Sequence, residues 1–349
     1  MDPLDSKASE RQEVSKDTPS FLQGKRVLIT GANGFIGSHL AQALSDIGCK
    51  LNLFDRDINK SKFAGEHEVF EGDLFSHECL EKAAKNIDVA FHLAGYVHAT
   101  PKTEEEKRAV FKINVEGTKN LLDALEKSAK HVVFFSSMSV YGEDQSESLP
   151  EDAPKNPNTP YGQSKLEAEN YLKDWGRKNN IITTSLRLSL VYGPGNKGNI
   201  YDMIRAIDRG RFLLIGNGRN KRSMVYVKNV VKVALGVAGQ EGANGEAFNV
   251  TDGIDYTLKE IYETIAGCLG KKPRSLFIPL GLAKSLGRAG DAIGNITGKE
   301  MPFSSEILEK LTGTLTFSSR KLQEFLGFEP EYNLYNGMPE TISWYREIK

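Results

Sequence analysis

The chain has 349 residues, 39% of them hydrophobic and 26% charged, with 33 glycines, a composition that excludes fibrous, low-complexity and wholly disordered proteins and suffices for a substantial core. Forty-five basic residues against 46 acidic ones give a formal net charge of −1, so no overall field draws the chain to nucleic acid or to an anionic surface. Cys49, Cys79 and Cys268 are odd in number and form no CxxC pair, which argues against a disulfide framework or a thiolate metal site and for a reducing compartment.

Residues 1–23 read as a flexible tail, because the first twenty carry almost no apolar side chains and cannot offset the entropy of ordering. No apolar stretch near the start resembles a signal peptide, and no later run reaches the roughly 20 apolar residues of a membrane span. A cytoplasmic protein without a membrane span is expected. From Lys25 the pattern changes: RVLIT is a β-branched apolar run, GANG a turn, and FIGSHLAQALSDIG repeats apolar residues at helical spacing. LNLF, VFEGDL, DVAFHLAG and HVVFFSS supply further strands, alternating with helix-like sequence that includes residues 103–127. Such alternation predicts an α/β fold with a Rossmann-like, doubly wound parallel sheet, and runs such as VVFF suit burial on both faces. The dinucleotide-binding domain is predicted over residues 24–192. Beyond it, turn-rich segments such as GPGNKGN and GNGRNKR mark a mainly substrate-binding, smaller C-terminal α/β lobe over 193–349, with the return of some segments to the first domain left open.

The turn TGANGFIG sits between first strand and first helix. Glycines there permit positive φ and close backbone approach, and the helix start offers N–H groups to an anion. Gly31, Asn33, Gly34, Phe35, Ile36 and Gly37 are therefore candidate pyrophosphate-binding residues, although the spacing is GxxGxxG rather than GxGxxG. A structural turn is the competing reading. Asp55 closes the second strand about twenty residues on, where a carboxylate can accept hydrogen bonds from an adenosine ribose and repel a 2′-phosphate. That favours NAD; the adjacent Arg56 keeps NADP as the alternative.

Tyr161 and Lys165 are four residues apart in a helix begun after Pro160, so both emerge on one face. A cation beside a phenol favours the phenolate, lowering a pKa that is ordinarily about 10 toward the range of a general acid or base. Ser137 follows the VVFF strand and places a hydroxyl at its carboxyl end. YxxxK alone is a weak signal, and serines at strand ends are most often turn formers.

Together the motifs resemble those of the extended short-chain dehydrogenases, the NAD-dependent epimerase/dehydratase group. TGANGFIG, GDL at 72–74, HLAG at 92–95, NVEGT at 114–118, SSMSVYG, YGQSK, LRLSLVYGPG at 186–195 and RSMVYVKNVV at 222–231 occur in that family's order. The resemblance implies that Asp73 and Leu74 border the adenine, that Leu93, Ala94 and Gly95 line the cofactor, and that Asn114 fixes the active-site helix. It further implies that Ser137, Tyr161 and Lys165 are the catalytic set: Tyr161 accepts the substrate hydroxyl proton while the nicotinamide takes hydride, and Lys165 holds the nicotinamide ribose.

Departures from the family pattern narrow the reaction. Met138 and Ser139 replace the Asp-Glu pair of sugar 4,6-dehydratases, disfavouring dehydration. Leu190 stands where galactose-type epimerases carry a sugar-nucleotide-binding asparagine, Val97 replaces a lysine frequent after HLAG, and the arginine-glycine-acid signature near residue 310 is absent. Arg222 resembles the family's phosphate grip, and Asn199 closes a GPGNKGN loop similar to that of 4-keto nucleotide-sugar reductases. The expected activity is C4 epimerisation of a nucleotide sugar of the UDP-glucose or UDP-N-acetylglucosamine type. A 4-keto nucleotide-sugar reductase is the alternative, followed by a hydroxysteroid or dihydroflavonol type of dehydrogenase. A non-enzymatic dinucleotide-binding scaffold is disfavoured because Tyr161 and Lys165 are both present. A homodimer through the helices of 103–127 and 161–175 is implied by resemblance.

The six histidines lack metal-ligand spacing, and no GxSxG elbow surrounds Ser137, so neither a metal site nor a serine hydrolase is expected. Residues 276–296 are amphipathic and include Lys284 and Arg288. They read as an element closing the substrate lobe, with contact to a membrane or a partner as the alternative.

Overall fold

The computed structural model describes residues 21–57, 63, 65–96, 101, 103–142, 148–273, 277–297, 305, 308 and 312–349, without the side chains of 292–297. Residues 1–20 of the expected tail lie outside them, whereas Leu22 is fully buried in the main core and its carbonyl accepts a bond from Cys49 Sγ.

Seven strands form one parallel sheet: β1 (Arg26–Thr30), β2 (Lys50–Asp55), β3 (Glu68–Glu71), β4 (Val89–His92), β5 (His131–Ser137), β6 (Ile182–Leu188) and, later in the chain, β10 (Glu246–Val250). Their spatial order is β10-β6-β5-β4-β1-β2-β3. The chain therefore winds outward from β1 in one direction and from β4 in the other, and the strand order reverses between β1 and β4, where Thr30 is the register partner of His92. That reversal opens a crevice at the carboxyl ends of the two strands, the place where such sheets bind ligands.

Both sheet faces are covered, which explains the near-continuous apolar strands. One face packs on α1 (Phe35–Asp46) through Leu40 and Leu44 and on the later helix α7 (Val227–Val237) through Val230, Val233 and Val237. The other packs on α2 (His77–Ala83), α4 (Gly117–Leu125) and α5 (Pro160–Asn179), with Leu80, Leu121, Leu122, Ala168, Leu172 and Trp175. The stretch 103–127 is interrupted: α3 (Glu104–Phe111), capped by Thr103 and Glu106, passes into a π-helical turn, Lys112–Glu116, before α4. Such turns are rare and concentrate at functional sites.

The smaller lobe has its own core of Tyr192, Ile204, Tyr226, Tyr256, Ile265 and Met338, among others. It comprises β7 (Leu190–Tyr192), α6 (Asn199–Asp208), β8 (Leu214–Ile215), β9 (Lys221–Tyr226), β11 (Asp255–Thr257), α8 (Leu258–Cys268), β12 (Phe277–Ile278), α9 (Leu280–Thr297) and α11 (Leu334–Glu347), whereas α10 (Arg320–Leu326) packs on β10 and joins the large sheet's core through Leu322. β11, β9 and β7 make a three-stranded sheet, and β12 pairs with β8. The chain leaves the large sheet after β6, builds β7 to β9, and returns through α7 and β10 before completing the lobe.

Candidate active site

The glycine turn follows β1 directly. Gly31 has φ +71°, and a Cβ there would lie 2.9 Å from the Ala94 nitrogen, so the turn abuts the end of β4. A Cβ at Gly37 would collide with the Gly31 carbonyl oxygen, which explains why the first turn of α1 can sit over the loop only with glycine at that position. Gly34 is the N-cap of α1 and supplies no side-chain cap, and the first turn carries no acidic residue. A twelve-residue helix thus presents an uncapped, positively polarised end at the crevice. Phe35 and Ile36 begin that helix; Ile36 packs on the core, while Phe35 lies edge-on to His39, whose Nε2 is 2.8 Å from the Pro194 carbonyl. The GPG loop of the smaller lobe therefore rests on α1.

Asp55 ends β2 beside this turn. Its Oδ2 accepts a bond from the Asn33 backbone N–H at 2.9 Å, and its Oδ1 accepts from the Arg56 N–H at 2.8 Å. The Asn33 side chain reaches on to the Asp57 carbonyl. The loop and the acid expected to hold the ribose are one hydrogen-bonded unit. Asp73 Oδ1 accepts from the Phe75 N–H and the Ser76 hydroxyl, holding the turn after β3. Leu74 is buried against Gly117, and its carbonyl accepts from Asn120.

A buried polar chain crosses the crevice floor. His92, 1% exposed, lies with Nδ1 2.8 Å from the Thr30 hydroxyl and Nε2 2.9 Å from the Thr118 hydroxyl, which donates to the Asn114 carbonyl at 2.6 Å. Burial, with the Lys165 charge beside it, lowers the His92 pKa to about 3, so the ring is neutral. Leu93 and Ala94 bond through their N–H groups to the Thr30 carbonyl and hydroxyl. Asn114 sits in the π-helical turn: its Oδ1 accepts from the Tyr96 N–H at 2.6 Å, and its Nδ2 donates to the Ser164 hydroxyl at 2.9 Å.

Helix α5 starts cleanly because Thr159 caps the Gly162 N–H and Pro160 occupies the first turn. A Cβ at Gly162 would strike the Ser139 carbonyl, so glycine there lets α5 press against the short turn Met138–Val140 that ends β5. That approach brings the Ser137 hydroxyl beside the Tyr161 phenol, where it acts as a donor to the phenol oxygen. Ser137 Oγ also accepts from the Ser139 N–H at 3.2 Å. One helical turn on, Lys165 is 4% exposed, donates to the Phe135 carbonyl at 2.9 Å, and lies 5.9 Å from the Tyr161 ring centroid. A Cβ at Gly95 would be 3.5 Å from Lys165 Nζ, so the HLAG turn closes the other side.

The protonation pattern differs from the sequence expectation. Burial raises the Tyr161 pKa to about 12, partly opposed by the Ser137 hydrogen bond, and lowers that of Lys165 to about 8 against the pull of Glu169. The expected depression of Tyr161 is absent because burial of the phenol outweighs the Ser137 hydroxyl, while the Lys165 ammonium is directed to the Phe135 carbonyl. A phenol and a lysine have been moved toward their neutral forms in one dry corner, and a dipole or charge entering it acts on both.

Residues 27–251, from β1 through β10, match the NAD dependent epimerase/dehydratase family. The chain belongs to that family. It is 31% identical over 323 residues to the N-acetyl-alpha-D-glucosaminyl-diphospho-ditrans,octacis-undecaprenol 4-epimerase of Escherichia coli O157:H7, covering 91% of this chain and 94% of the relative. It is likewise 31% identical over 326 residues to the UDP-glucose 4-epimerase of Vibrio cholerae, with the same coverages of 91% and 94%. Among solved structures, MoeE5 in complex with UDP-glucuronic acid and NAD superposes with a TM-score of 0.75 at 28% identity, covering 93% of this chain and all of that one (100%).

In this epimerase/dehydratase family member the expected substrate-side residues lie apart, on the smaller lobe. Asn199 is the exposed first residue of α6. Arg222, on β9, donates to the carbonyls of Gly313 and Lys221 and so holds the strap of residues 313–315 against its strand. Leu190 is half-buried against the lobe core. Val97 lies outside the described residues. Two contributors went unread in the sequence. His92 lay within HLAG yet signalled only strand end. Arg187, in LRLSLVYGPG, forms a buried pair with Glu169 of α5 at 2.8 Å and donates to the Tyr141 hydroxyl at 2.7 Å, pinning α5 to β6; nothing local in the sequence announces that pairing.

Proposed function

We propose that the protein is an NAD-dependent nucleotide-sugar epimerase that inverts the hexose C4 centre by transient oxidation, on a substrate of the UDP-glucose or UDP-N-acetylglucosamine type. The observation that carries this reading is the Ser137, Tyr161 and Lys165 cluster at the carboxyl end of β5, facing the uncapped start of α1 across the β1–β4 crevice. The residues fit the cofactor: the free helix end suits a pyrophosphate, and Asp55, tied to the loop at Asn33, suits an adenosine ribose and disfavours a 2′-phosphate. Bound NAD supplies a hydride acceptor and donor.

The chain's own task is to move one proton and hold one oxygen. Tyr161 takes the C4 hydroxyl proton and returns it once the sugar presents its other face; Ser137, bonded to Tyr161, holds the reacting oxygen. Lys165 supplies the nearby cation and, held by the Phe135 carbonyl, keeps a fixed position. Asn114 ties the cofactor-side loop to this helix, and Arg222 with Asn199 contributes the phosphate-side contacts from the smaller lobe. The protein acts as a homodimer through the α4 and α5 helices, and its three free cysteines suit a cytoplasmic setting.

A second reading of the substrate, a sugar carried on a polyprenyl diphosphate, is favoured by the activity named for the Escherichia coli relative and by the exposed apolar corner described below. Incubation with UDP-glucose, UDP-N-acetylglucosamine and a polyprenyl-diphosphate-linked N-acetylglucosamine, followed by chromatographic separation of epimers, tests both. Epimer formation without net NADH consumption supports epimerisation; stoichiometric NADH oxidation with a 4-keto sugar nucleotide supports the reductase instead.

A further inference from the structure

Helix α9 is packed the wrong way round for a helix that merely closes a lobe. Among the described residues its inward face consists of Ala283, Gly287 and Gly290, all buried, and its apolar support is the small cluster of Ala283, Ile215, Leu308 and Ile278. The large side chains point out: Leu280 is 40% exposed, Leu282 54% and Leu286 48%. β12 pairs with β8, placing Phe277 (59% exposed) opposite Leu214, next in sequence to Leu213 (43% exposed). Five of the ten exposed large hydrophobic side chains among the described residues therefore gather in this one corner, where burial normally drives large residues inward.

Charge marks the same corner. Between positions 271 and 290 the sequence carries five basic residues and no acidic one, of which Lys271 is bonded to Asp208; Asp291 follows on α9 and accepts from the Ser305 N–H. Lys272, Lys284 and Arg288 are exposed there, the last two spaced one helical turn apart. Among the described residues no helix is long and apolar enough to cross a membrane, so the combination is that of a helix lying in an interface: leucines on one flank, cations on the other, and small residues holding it to the body. The apolar patch is five side chains, far fewer than the roughly 20–30 residues a side of a standard dimer interface, whereas a bilayer needs only insertion of a few side chains helped by anionic headgroups.

We propose that α9 and the adjoining β8–β12 edge dock the protein in-plane on an anionic lipid bilayer. The surface is coupled to the candidate site through Leu308, which packs under α9, and the following strap, whose Gly313 carbonyl is held by Arg222 and whose Leu315 carbonyl accepts from the Ser223 N–H at 2.9 Å. Docking thus sets the phosphate side of the cleft at the headgroup level. This inference rests on the epimerase reading only for what the membrane delivers: a sugar diphosphate whose lipid stays in the bilayer.

The test is co-sedimentation of the full chain with vesicles of phosphatidylcholine alone or mixed with phosphatidylglycerol, alongside size-exclusion chromatography and an epimerase assay on UDP-sugars in vesicle-free buffer. The wild type is expected to sediment with phosphatidylglycerol vesicles and to be released by salt. Leu282→Glu with Leu286→Glu is expected to weaken binding about tenfold or more, and Lys284→Glu with Arg288→Glu to abolish the preference for the anionic lipid, both with normal solution turnover. No sedimentation with either vesicle, or equal sedimentation of wild type and variants, overturns the proposal. So does a change from dimer to monomer on Leu282→Glu with Leu286→Glu without vesicle binding by the wild type, since the corner then joins two copies. Solution turnover without vesicle binding defeats this inference and leaves the epimerase reading standing; vesicle binding without turnover of either the UDP-sugars or the polyprenyl-diphosphate-linked sugar does the reverse.

Discussion

The side chains of Asn114 and Ser164 are joined by a 2.9 Å hydrogen bond that runs from a π-helical turn to the residue before Lys165. With Asn114 Oδ1 on the Tyr96 N–H, one buried amide fixes both the loop after β4 and the helix bearing Tyr161. Asn114→Ala leaves those partners unsatisfied, at a cost of about 1–3 kcal/mol. It also loosens the placement of Tyr161 against Ser137, for which a loss of about a hundredfold in kcat is expected. Denaturant melts and steady-state kinetics on the same preparation separate the two effects: a variant that is less stable but fully active contradicts the positioning role.

Tyr161→Phe keeps the ring and removes the hydroxyl bonded to Ser137. General acid-base catalysis is worth about 100- to 10,000-fold, so turnover falls by that range while the melting temperature changes little. Unchanged turnover would exclude Tyr161 from the chemistry.

Lys165, lowered to about 8 by burial, sheds its proton in the folded chain well before it does so unfolded, where the value is 10.5. Between these values the unfolded state binds more protons, so this residue makes stability rise with pH from about 8 upward, until groups such as Cys49, raised to about 11, reverse the trend. Nitrogen-15 NMR of the cofactor-free lysines is expected to show one titrating near 8, missing in Lys165→Met; a midpoint near 10 contradicts the burial argument.

Asp252 behaves oppositely. Its carboxylate accepts from the Tyr226 N–H, Asn229 Nδ2 and the Tyr192 hydroxyl, yet burial raises its pKa from 3.8 to about 7. The folded state holds the proton longer, so stability from this group is complete below 3.8 and is lost as pH climbs toward 7. Asp252→Asn keeps an acceptor for both N–H groups, and is expected to flatten urea-melt stability across that window and to gain on the order of 4 kcal/mol at pH 8. A variant destabilised equally at pH 5 and pH 8 contradicts this.

Legibility followed sequence distance. The glycine turn, Asp55 and the Tyr161–Lys165 pair carry their meaning within short segments, because turn sterics and helical spacing are local. The Thr30–His92–Thr118 chain and the Glu169–Arg187 pair were not readable, since they exist only once strands distant in the chain align. In α9 the amphipathic pattern was visible, but not which face would be buried: the sequence marks two unlike flanks, and only the underlying Ile215 and Leu308 select the small one. The helix 103–127 was visible as a stretch and its π-helical break was not, because Asn114 within it meets its partners, Tyr96 and Ser164, only once the chain has folded.

The most direct test of the account follows deuterium placed at C4 of the nucleotide sugar. Inversion through transient oxidation at a site where Tyr161 exchanges only the hydroxyl proton predicts an epimer that retains the deuterium at C4, with no net change in NADH absorbance and no label from solvent. An epimer that has lost the deuterium to water, or substrate consumed with a matching change in NADH, would contradict it.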